Sequence, residues 1–280
     1  MKSNKIIIDS ALSSFFSLKD ILQYKSLLNN LAKRDFLVRY KQAFAGIIWA
    51  ILKPLINILV FGFIASKINS SQNTITNFLY VASAMLLWQL FSSVFNDVSN
   101  SIIGNSNLFS KVYFPKIIIP LSTILVCLVD FLISLVILIV LFIIAGEPIH
   151  WQIVLAPIFI ILTLINGFGI GLYFATINVK YRDVKFIVPV MIQVGMYISP
   201  VIFSSTFYIE KMNQIHPFFT WLFCLNPMVG AIEGFKYSLF GEVAIYDVRY
   251  FMLSTCVSFL FLFIGIKYFY KFERSFVDYI

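Results

Sequence analysis

The chain has 280 residues, of which 60% are hydrophobic and only 12% are charged, whereas an average soluble domain carries about 25% charged residues. A water-soluble fold of this size could not bury so much apolar surface, so the composition excludes an ordinary soluble domain. The net charge of +8 would fit a nucleic-acid partner. The positions of the charges instead favour a membrane protein that binds no nucleic acid.

The N-terminal segment, residues 1–46, is too long and too mixed to be a cleavable signal peptide of about 15 to 30 residues. Residues 19–42 combine apolar and basic side chains, which is typical of an amphipathic helix in the membrane interface. Two interpretations stay open: a basic flank that only sets topology, and a helix that also contacts a cytoplasmic partner.

Six segments are long and apolar enough to cross a bilayer, which takes about 20 mostly apolar residues. They run through the whole remaining chain, so we predict one all-α, polytopic membrane domain over residues 47–280. A transmembrane β-barrel is excluded, because barrel strands alternate apolar and polar residues, whereas residues 133–144 are almost all apolar. The predicted spans are 47–66, 78–98, 117–145, 153–177, 186–204 and 251–270.

Basic residues concentrate on one side of these spans. With a cytoplasmic N-terminus, 16 of the 21 Lys and Arg residues lie in cytoplasmic segments. This bias is the positive-inside pattern of membrane proteins, and it predicts that both termini are cytoplasmic.

Two predicted spans carry polar and aromatic side chains on one helical face, because these side chains recur every four residues. Lys53 lies in the first span, where a charge is costly; it either faces a pathway or extends to the lipid headgroups. Both faces are candidates for the wall of a translocation pathway, and buried helix contacts are the alternative. The candidate pathway residues are Trp49, Lys53, Asn57, Gln193, Tyr197, Pro200 and Ser204.

A carboxylate, Asp130, lies deep in the third span, and a charged side chain at that depth is a functional candidate. Proton coupling would need a second titratable group nearby, whereas Asp97 is predicted at the cytoplasmic end of the second span. We therefore expect Asp130 to be hydrogen-bonded to neighbouring helices. In the fourth span Gly167, Gly171 and Ala175 recur every four residues, which predicts close helix packing.

The connection between the fifth and sixth spans, residues 205–250, is too apolar for a solvated loop. Pro217 and Pro227 divide it into pieces that are shorter than a span. Two short re-entrant helices at the outer face fit this pattern, since irregular backbone at membrane depth must be buried in protein or line a cavity.

Motifs for catalysis or nucleotide binding are missing from the sequence. It contains no GxxxxGK[ST] phosphate loop, no HExxH and no GxSxG, and its only histidines are His150 and His216. The three cysteines have no metal-ligand or disulfide spacing. We expect no catalytic site, no metal site and no cofactor in this chain.

Seven motifs are spread over nearly the whole chain. They are RDFLVRYK at 34–41, GIIWAILKP at 46–54, NSNLFSKVYFPK at 105–116, NVKYRDV at 178–184, SPV at 199–201, LNPM at 225–228 and FERSFVDYI at 272–280. In order and spacing they resemble the permease subunits of ABC-2 exporters that move bacterial surface polysaccharides, such as O-antigen, teichoic acid and capsule. Lys53 and Val277 depart from the family's usual Gln and Ala, which puts only local details in doubt.

This resemblance implies a half-transporter in the bacterial inner membrane that forms a homodimer. Two copies of a separate ABC subunit would bind ATP and Mg²⁺, and a lipid-linked glycan would be the substrate. The first and fifth spans would border the conduit, with an outer gate at Trp221, Asn226 and Pro227. The implied ATPase-coupling residues are Asn105, Asn107, Leu108, Phe109, Lys111, Val112, Tyr113, Phe114 and Pro115, with Arg34, Asp35, Arg39, Tyr181, Arg182 and Asp183 beside them.

Two alternatives stay open at this point. An ABC-2 exporter of small amphipathic molecules would share the same architecture. An ion-coupled secondary transporter is disfavoured, because Asp130 is predicted to stand alone and no inverted repeat is evident.

Overall fold

A computed structural model describes residues 23–41, 74–109, 114–148, 150–241 and 248–276, together with scattered helical positions between residues 48 and 63. Over these residues the chain forms ten α-helices and two short 3-10 helices, Trp151–Leu155 and Glu273–Ser275. The α-helices are α1 Lys25–Lys41, α2 Thr74–Gly104, α3 Ser106–Phe109, α4 Ile118–Ala145, α5 Ala156–Lys180, α6 Val184–Ile198, α7 Ser205–Ile215, α8 Pro217–Cys224, α9 Pro227–Phe240 and α10 Val248–Phe272.

Four helical segments are long and apolar enough to cross a membrane: Ile75–Gly104, Ile118–Ala145, Trp151–Lys180 and Phe251–Phe272. They correspond to the second, third, fourth and sixth predicted spans. The pair α8 and α9 passes the same test together but is bent by 78°, so up to five spans are present among the described residues. The first predicted span, 47–66, lies largely outside the described residues.

The fifth predicted span, 186–204, is shorter than expected. Its helix α6 has 15 residues and ends at Ile198, because Ser199 has an extended backbone with φ −95° and ψ 154°. The residue before a proline is sterically driven out of the helical region, and Pro200 follows Ser199. The polypeptide then turns into α7, whose first turn is capped by the hydroxyl of Ser204.

Helix α5 lies between α2 and α10, and glycines allow the close approach on both sides. A Cβ atom on Gly167 would lie 2.9 Å from Val94 of α2, and one on Gly169 would lie 2.7 Å from the backbone of Leu262 in α10. On the facing helix, a Cβ atom on Gly265 would overlap the carbonyl oxygen of Gly169. The predicted packing role of the glycines is confirmed, and it serves two helix contacts rather than one.

The amphipathic helix α1 packs against α4. Its buried Leu31 forms an apolar cluster with Phe114, Ile118 and Ile119, at the start of α4. Lys33 and Arg34 are exposed, but so are the apolar Leu37 and Val38, and Leu31 is the one buried residue of α1.

The α5–α10 contact yields a stability prediction. We expect Gly265→Ala to lower the thermal midpoint of the purified protein in detergent, because the added methyl group forces two backbones apart. Overpacking of this kind costs about 1–3 kcal/mol. The control is Gly104→Ala, since a Cβ atom there meets nothing within 4 Å. Equal midpoints for Gly265→Ala and the unsubstituted protein would contradict the close contact.

Candidate functional site

A cavity of about 750 Å³ opens between α1, α2, α4 and α6. Apolar walls come from side chains such as Trp88 and Phe131, while a polar set converges on the same space. The polar and charged lining residues are Arg39, Tyr40, Asn57, Gln89, Ser92, Ser93, Asn96, Asp97, Asp130, Ser134 and Gln193.

The longest polar wall belongs to α2. Gln89 is followed by Ser92, Ser93 and Asn96 at three, four and seven residues, a spacing that places them on one face of a helix, and all four line the cavity. The Nε2 atom of Gln89 is buried without a hydrogen-bond partner among the described residues. Our sequence reasoning missed this wall, although its helical spacing was visible in the sequence.

Arg39, the charged residue that α1 contributes to the cavity, joins two helices. Its Nη2 donates to Asp97 of α2 and its Nη1 to Asp130 of α4, both at 2.6 Å. Two N–H groups of one guanidinium can hold two carboxylates in this way, and a lysine could not reproduce the geometry. The adjacent Tyr40 hydroxyl donates to the other oxygen of Asp130 at 2.5 Å.

The Arg39 contacts revise our expectation for Asp130. We expected Asp97 to be separate from Asp130, whereas the structure brings both carboxylates to one guanidinium. The Sγ atom of Cys127 also donates to Asp97, at 3.5 Å. Asp130 is hydrogen-bonded to a neighbouring helix as expected, and that helix is the N-terminal α1.

Arg39 remains a cation at any physiological pH. Partial burial opposes the charged form, but Asp97 and Asp130 outweigh it and raise the pKa of Arg39. Burial and the hydrogen bond to Asp130 raise the pKa of Tyr40, so the phenol stays protonated and keeps donating.

A second ion pair lies in α9 and differs from the first in burial. Lys236 and Glu233 are 3.1 Å apart and only 1% and 2% exposed, whereas Arg39, Asp97 and Asp130 are 37%, 23% and 26% exposed. Removing one partner of a buried pair leaves an uncompensated charge at a cost of about 3–5 kcal/mol. The α9 pair is therefore a permanent contact.

Lys236 also positions the turn after α6. Its ammonium donates to the carbonyl of Pro200 at 2.7 Å and lies 4.2 Å from the ring centroid of Tyr80. The pathway candidate Pro200 is thus part of a packed turn.

The other pathway candidates are spread over several environments. Asn57 and Gln193 line the cavity, whereas the side chain of Tyr197 is exposed on α6 and its carbonyl accepts from Tyr208 at 2.9 Å. Ser204 caps α7. Trp49 and Lys53 lie outside the described residues.

Two of the three outer-gate candidates form one tightly bonded junction. The Asn226 side chain accepts from the backbone N–H of Met228 and donates to Ser199. The carbonyl of Pro227 accepts from Asn166 of α5 at 3.2 Å and from Ser254 of α10 at 3.1 Å. Trp221 is half exposed on α8.

The coupling candidates gather at the opposite end of α5. Arg34 forms an ion pair with Asp35 and donates to the Asn105 side chain at 2.5 Å. Phe114 and Pro115 are buried, Asn107 is exposed and Leu108 is half-buried. Phe109 ends α3, and Lys111, Val112 and Tyr113 lie outside the described residues.

The loop between α5 and α6 belongs to the same end of the molecule. Asn178, near the end of α5, donates to the carbonyl of Ser99 and to the side chain of Asn100, both at 3.1 Å. Tyr181, Arg182 and Asp183 follow directly and are exposed. The structure thus brings this loop and residues 105–109 close to the ends of α2 and α5.

The described ranges contain no group of three or more His, Cys, Asp or Glu residues that could hold a metal ion.

Residues 26–240 match the family described as ABC-2 type transporter. The chain belongs to the ABC-2 type transporter family.

Curated relatives agree with this membership. The chain is 26% identical over 262 residues to the O-antigen export system permease protein RfbA of Myxococcus xanthus, covering 93% of this chain and 97% of the relative. It is 28% identical over 254 residues to a protein of the same name from Klebsiella pneumoniae, covering 90% and 94%. The family resemblance drawn from the sequence is confirmed, and this ABC-2 chain is a multi-pass membrane protein.

The buried Lys236–Glu233 pair of this ABC-2 chain can be tested by substitution. We expect Lys236→Met to lower stability by about 3 kcal/mol, since it leaves Glu233 buried without its cation. The double variant Lys236→Met with Glu233→Leu should recover most of the loss, because an apolar pair of similar volume leaves no uncompensated charge. Thermal midpoints in detergent measure both effects. An equally unstable double variant would show that packing, not charge, dominates at this position.

Proposed function

We propose that this chain is the membrane subunit of an ATP-driven exporter that moves a lipid-linked polysaccharide, O-antigen-like or teichoic-acid-like, out of the bacterial cytoplasm. A separate ABC subunit would bind ATP and Mg²⁺ and hydrolyse the nucleotide. The observation that carries the proposal is similarity over more than 90% of this chain to proteins named O-antigen export system permease. Membership of the ABC-2 family supports the division of labour.

The proposed architecture is a homodimer in the inner membrane, with six spans per chain and cytoplasmic termini. The four long helices, the shorter α6 and the first predicted span together supply six crossings. The 78° bend between α8 and α9 supports a re-entrant pair, because two short helices with a sharp break fit one leaflet better than a full crossing.

The chemistry of the cavity supports a carbohydrate cargo. Sugars present many hydroxyl groups, which pair with amides and hydroxyls such as Gln89, Ser93, Asn96 and Gln193. These side chains donate and accept without a net charge, so they suit a polymer that must slide past them. Among the described residues the buried Nε2 atom of Gln89 has no acceptor, and a sugar hydroxyl would satisfy it.

A second candidate function is export of a small amphipathic molecule by the same ABC-2 architecture. The observation in its favour is the cavity volume of about 750 Å³, which is in the ordinary range of about 300–1,000 Å³ for small-molecule sites.

The deciding experiment is reconstitution of the chain with its ABC subunit in liposomes that contain the lipid-linked glycan. We expect ATP-dependent appearance of the glycan on the far side of the membrane. Retention of the glycan together with ATP-dependent release of small amphipathic compounds would support the second function and overturn the first.

A labelling prediction tests the cavity. Cysteines at Asn57, Ser93 and Gln193 should react with a water-soluble thiol reagent, and a bulky adduct should stop export because it fills the path. The control is Val136→Cys on the exposed apolar face of α4, which should stay unlabelled in lipid. If the cavity cysteines do not react in a protein that still exports, the cavity is a void between packed helices and not the translocation path.

A second prediction concerns the exposed loop after α5. Arg182→Glu should reduce co-purification of the ABC subunit by about five-fold or more, since a reversed charge at a contact is repulsive. The control is Arg249→Gln, an exposed basic residue of α10 outside the proposed contact. Normal recovery of the ABC subunit with Arg182→Glu would remove the loop from the contact.

A further inference from the structure

The described lining of the cavity between α1, α2, α4 and α6 carries more negative than positive charge. Among the described lining residues Arg39 is the one cation, whereas Asp97 and Asp130 are two carboxylates. The remaining polar lining groups are amides, hydroxyls and one thiol, which carry no charge at neutral pH. This part of the lining is therefore net negative.

The guanidinium of Arg39 is already paired on both of its Nη atoms. Nη1 donates to Asp130 and Nη2 donates to Asp97, both at 2.6 Å. An anionic group of a cargo that bound the same pair of N–H donors, as phosphates and carboxylates do, would have to displace both carboxylates. The displaced carboxylates would stay beside it as repelling charges, so Arg39 is a poor receptor for an anion.

Both carboxylates also face the space that a cargo would occupy. The side chains of Asp97 and Asp130 are partly exposed, and both line the cavity. Apolar side chains such as Trp88 and Phe131 form part of the same wall. Between apolar walls charges interact more strongly than in bulk water, so a negative group that enters is repelled more than it would be at the open surface.

Uncharged sugars meet no such barrier. Gln89, Ser93 and Asn96 line the same space, and their amides and hydroxyls pair with sugar hydroxyls whatever the net charge of the wall. One further cation, such as Lys53 of the first predicted span, would only bring the charge of the lining to zero. It would not supply the surplus of cations that a polymer with an anion on every repeat needs.

We infer that the cavity selects a glycan whose repeats carry no net negative charge, with Asp97 and Asp130 as the specificity-determining residues. The inference rests on the proposed function, because it takes the cavity as the path of a lipid-linked polysaccharide. It narrows that proposal to a neutral, O-antigen-like cargo and excludes a teichoic-acid-like cargo with a phosphate on every repeat. Like charge rejects the wrong cargo, while the uncharged polar wall accepts the right one.

The first experiment compares two cargoes in liposomes that contain the chain and its ABC subunit. One is a lipid-linked mannose polymer, and the other is the same polymer with one phosphate ester on each repeat. Because both carry the same lipid pyrophosphate, the comparison isolates the charge of the repeats. We expect the neutral polymer to be exported about ten-fold faster or more, the lower end of the range for electrostatic focusing.

Substitution of the carboxylates should remove this preference. In the double variant Asp97→Asn with Asp130→Asn, the ratio of neutral to phosphorylated export should fall to about two-fold or less, because the cavity then carries only the Arg39 cation. A ratio measured within one variant is independent of any general loss of activity. The control is Glu210→Gln, which removes an exposed carboxylate of α7 that does not line the cavity and should leave the ratio unchanged.

Two export results overturn the inference without touching the proposed function. Equal export of the two polymers by the unsubstituted chain means that the cavity does not select by charge. A preference that is unchanged in the double variant means that Asp97 and Asp130 are not its source.

A second experiment measures the charge of the cavity without glycan. In a background with the three native cysteines replaced by serine, Ser93→Cys is labelled with a cationic and an anionic methanethiosulfonate reagent of similar size. Each rate is divided by the rate for 2-mercaptoethanol in solution. We expect the cationic reagent to be favoured by about ten-fold, and any charge outside the described residues contributes to the measured ratio.

Two variants should move this labelling ratio in opposite directions. Arg39→Gln should raise it, and Asp97→Asn with Asp130→Asn should bring it below one. Both variants break the same contact, so structural damage alone would not produce opposite signs. Preference for the anionic reagent in the unsubstituted chain, or a ratio that neither variant moves, overturns the inference. The expected ratios in a complex that exports neither polymer support charge selection by the cavity and refute only the glycan as cargo.

Discussion

A polar group inside an apolar helical bundle has no water to pair with, so it must find a partner on another helix. This constraint determines much of the arrangement around α5. Asn166 is bonded to the backbone where α9 begins, and Asn178 to the backbone near the end of α2. With the glycine contact between α5 and α10, these bonds define both the neighbours of α5 and their register along it.

The sequence was sufficient for features that depend on local pattern. Long apolar runs predicted the four long helices to within a few residues at most ends, and the four-residue spacing of Gly167 and Gly171 predicted close packing. The end of α6 was not predicted correctly, because hydropathy does not register that Ser199 precedes a proline and leaves the helical conformation. The burial of Lys236 was not visible in the sequence either, since its partner at the Pro200 carbonyl is 36 residues away.

The candidate site was less accessible from sequence, because its central contact joins distant parts of the chain. Arg39 is 58 residues from Asp97 and 91 from Asp130, and no local periodicity relates them. The α2 wall was visible as spacing but ambiguous, since a serine in a helix often bonds to its own backbone. Ser99 does so with the carbonyl of Asn96. Only the fold shows that Ser93 faces the cavity instead.

The Lys236–Glu233 pair and the Arg39 contact show two ways of placing charges inside a helical bundle. At α9 both charges are buried, and the Pro200 carbonyl and the Tyr80 ring also contact Lys236. At the cavity the Arg39 guanidinium is shared between α2 and α4, and its charge and those of both carboxylates are partly exposed. Removing a partner is most costly where the remaining charge is fully buried. The more costly junction therefore lies in α9, and the less costly one lies beside the proposed path, on the N-terminal helix rather than on one of the long spans.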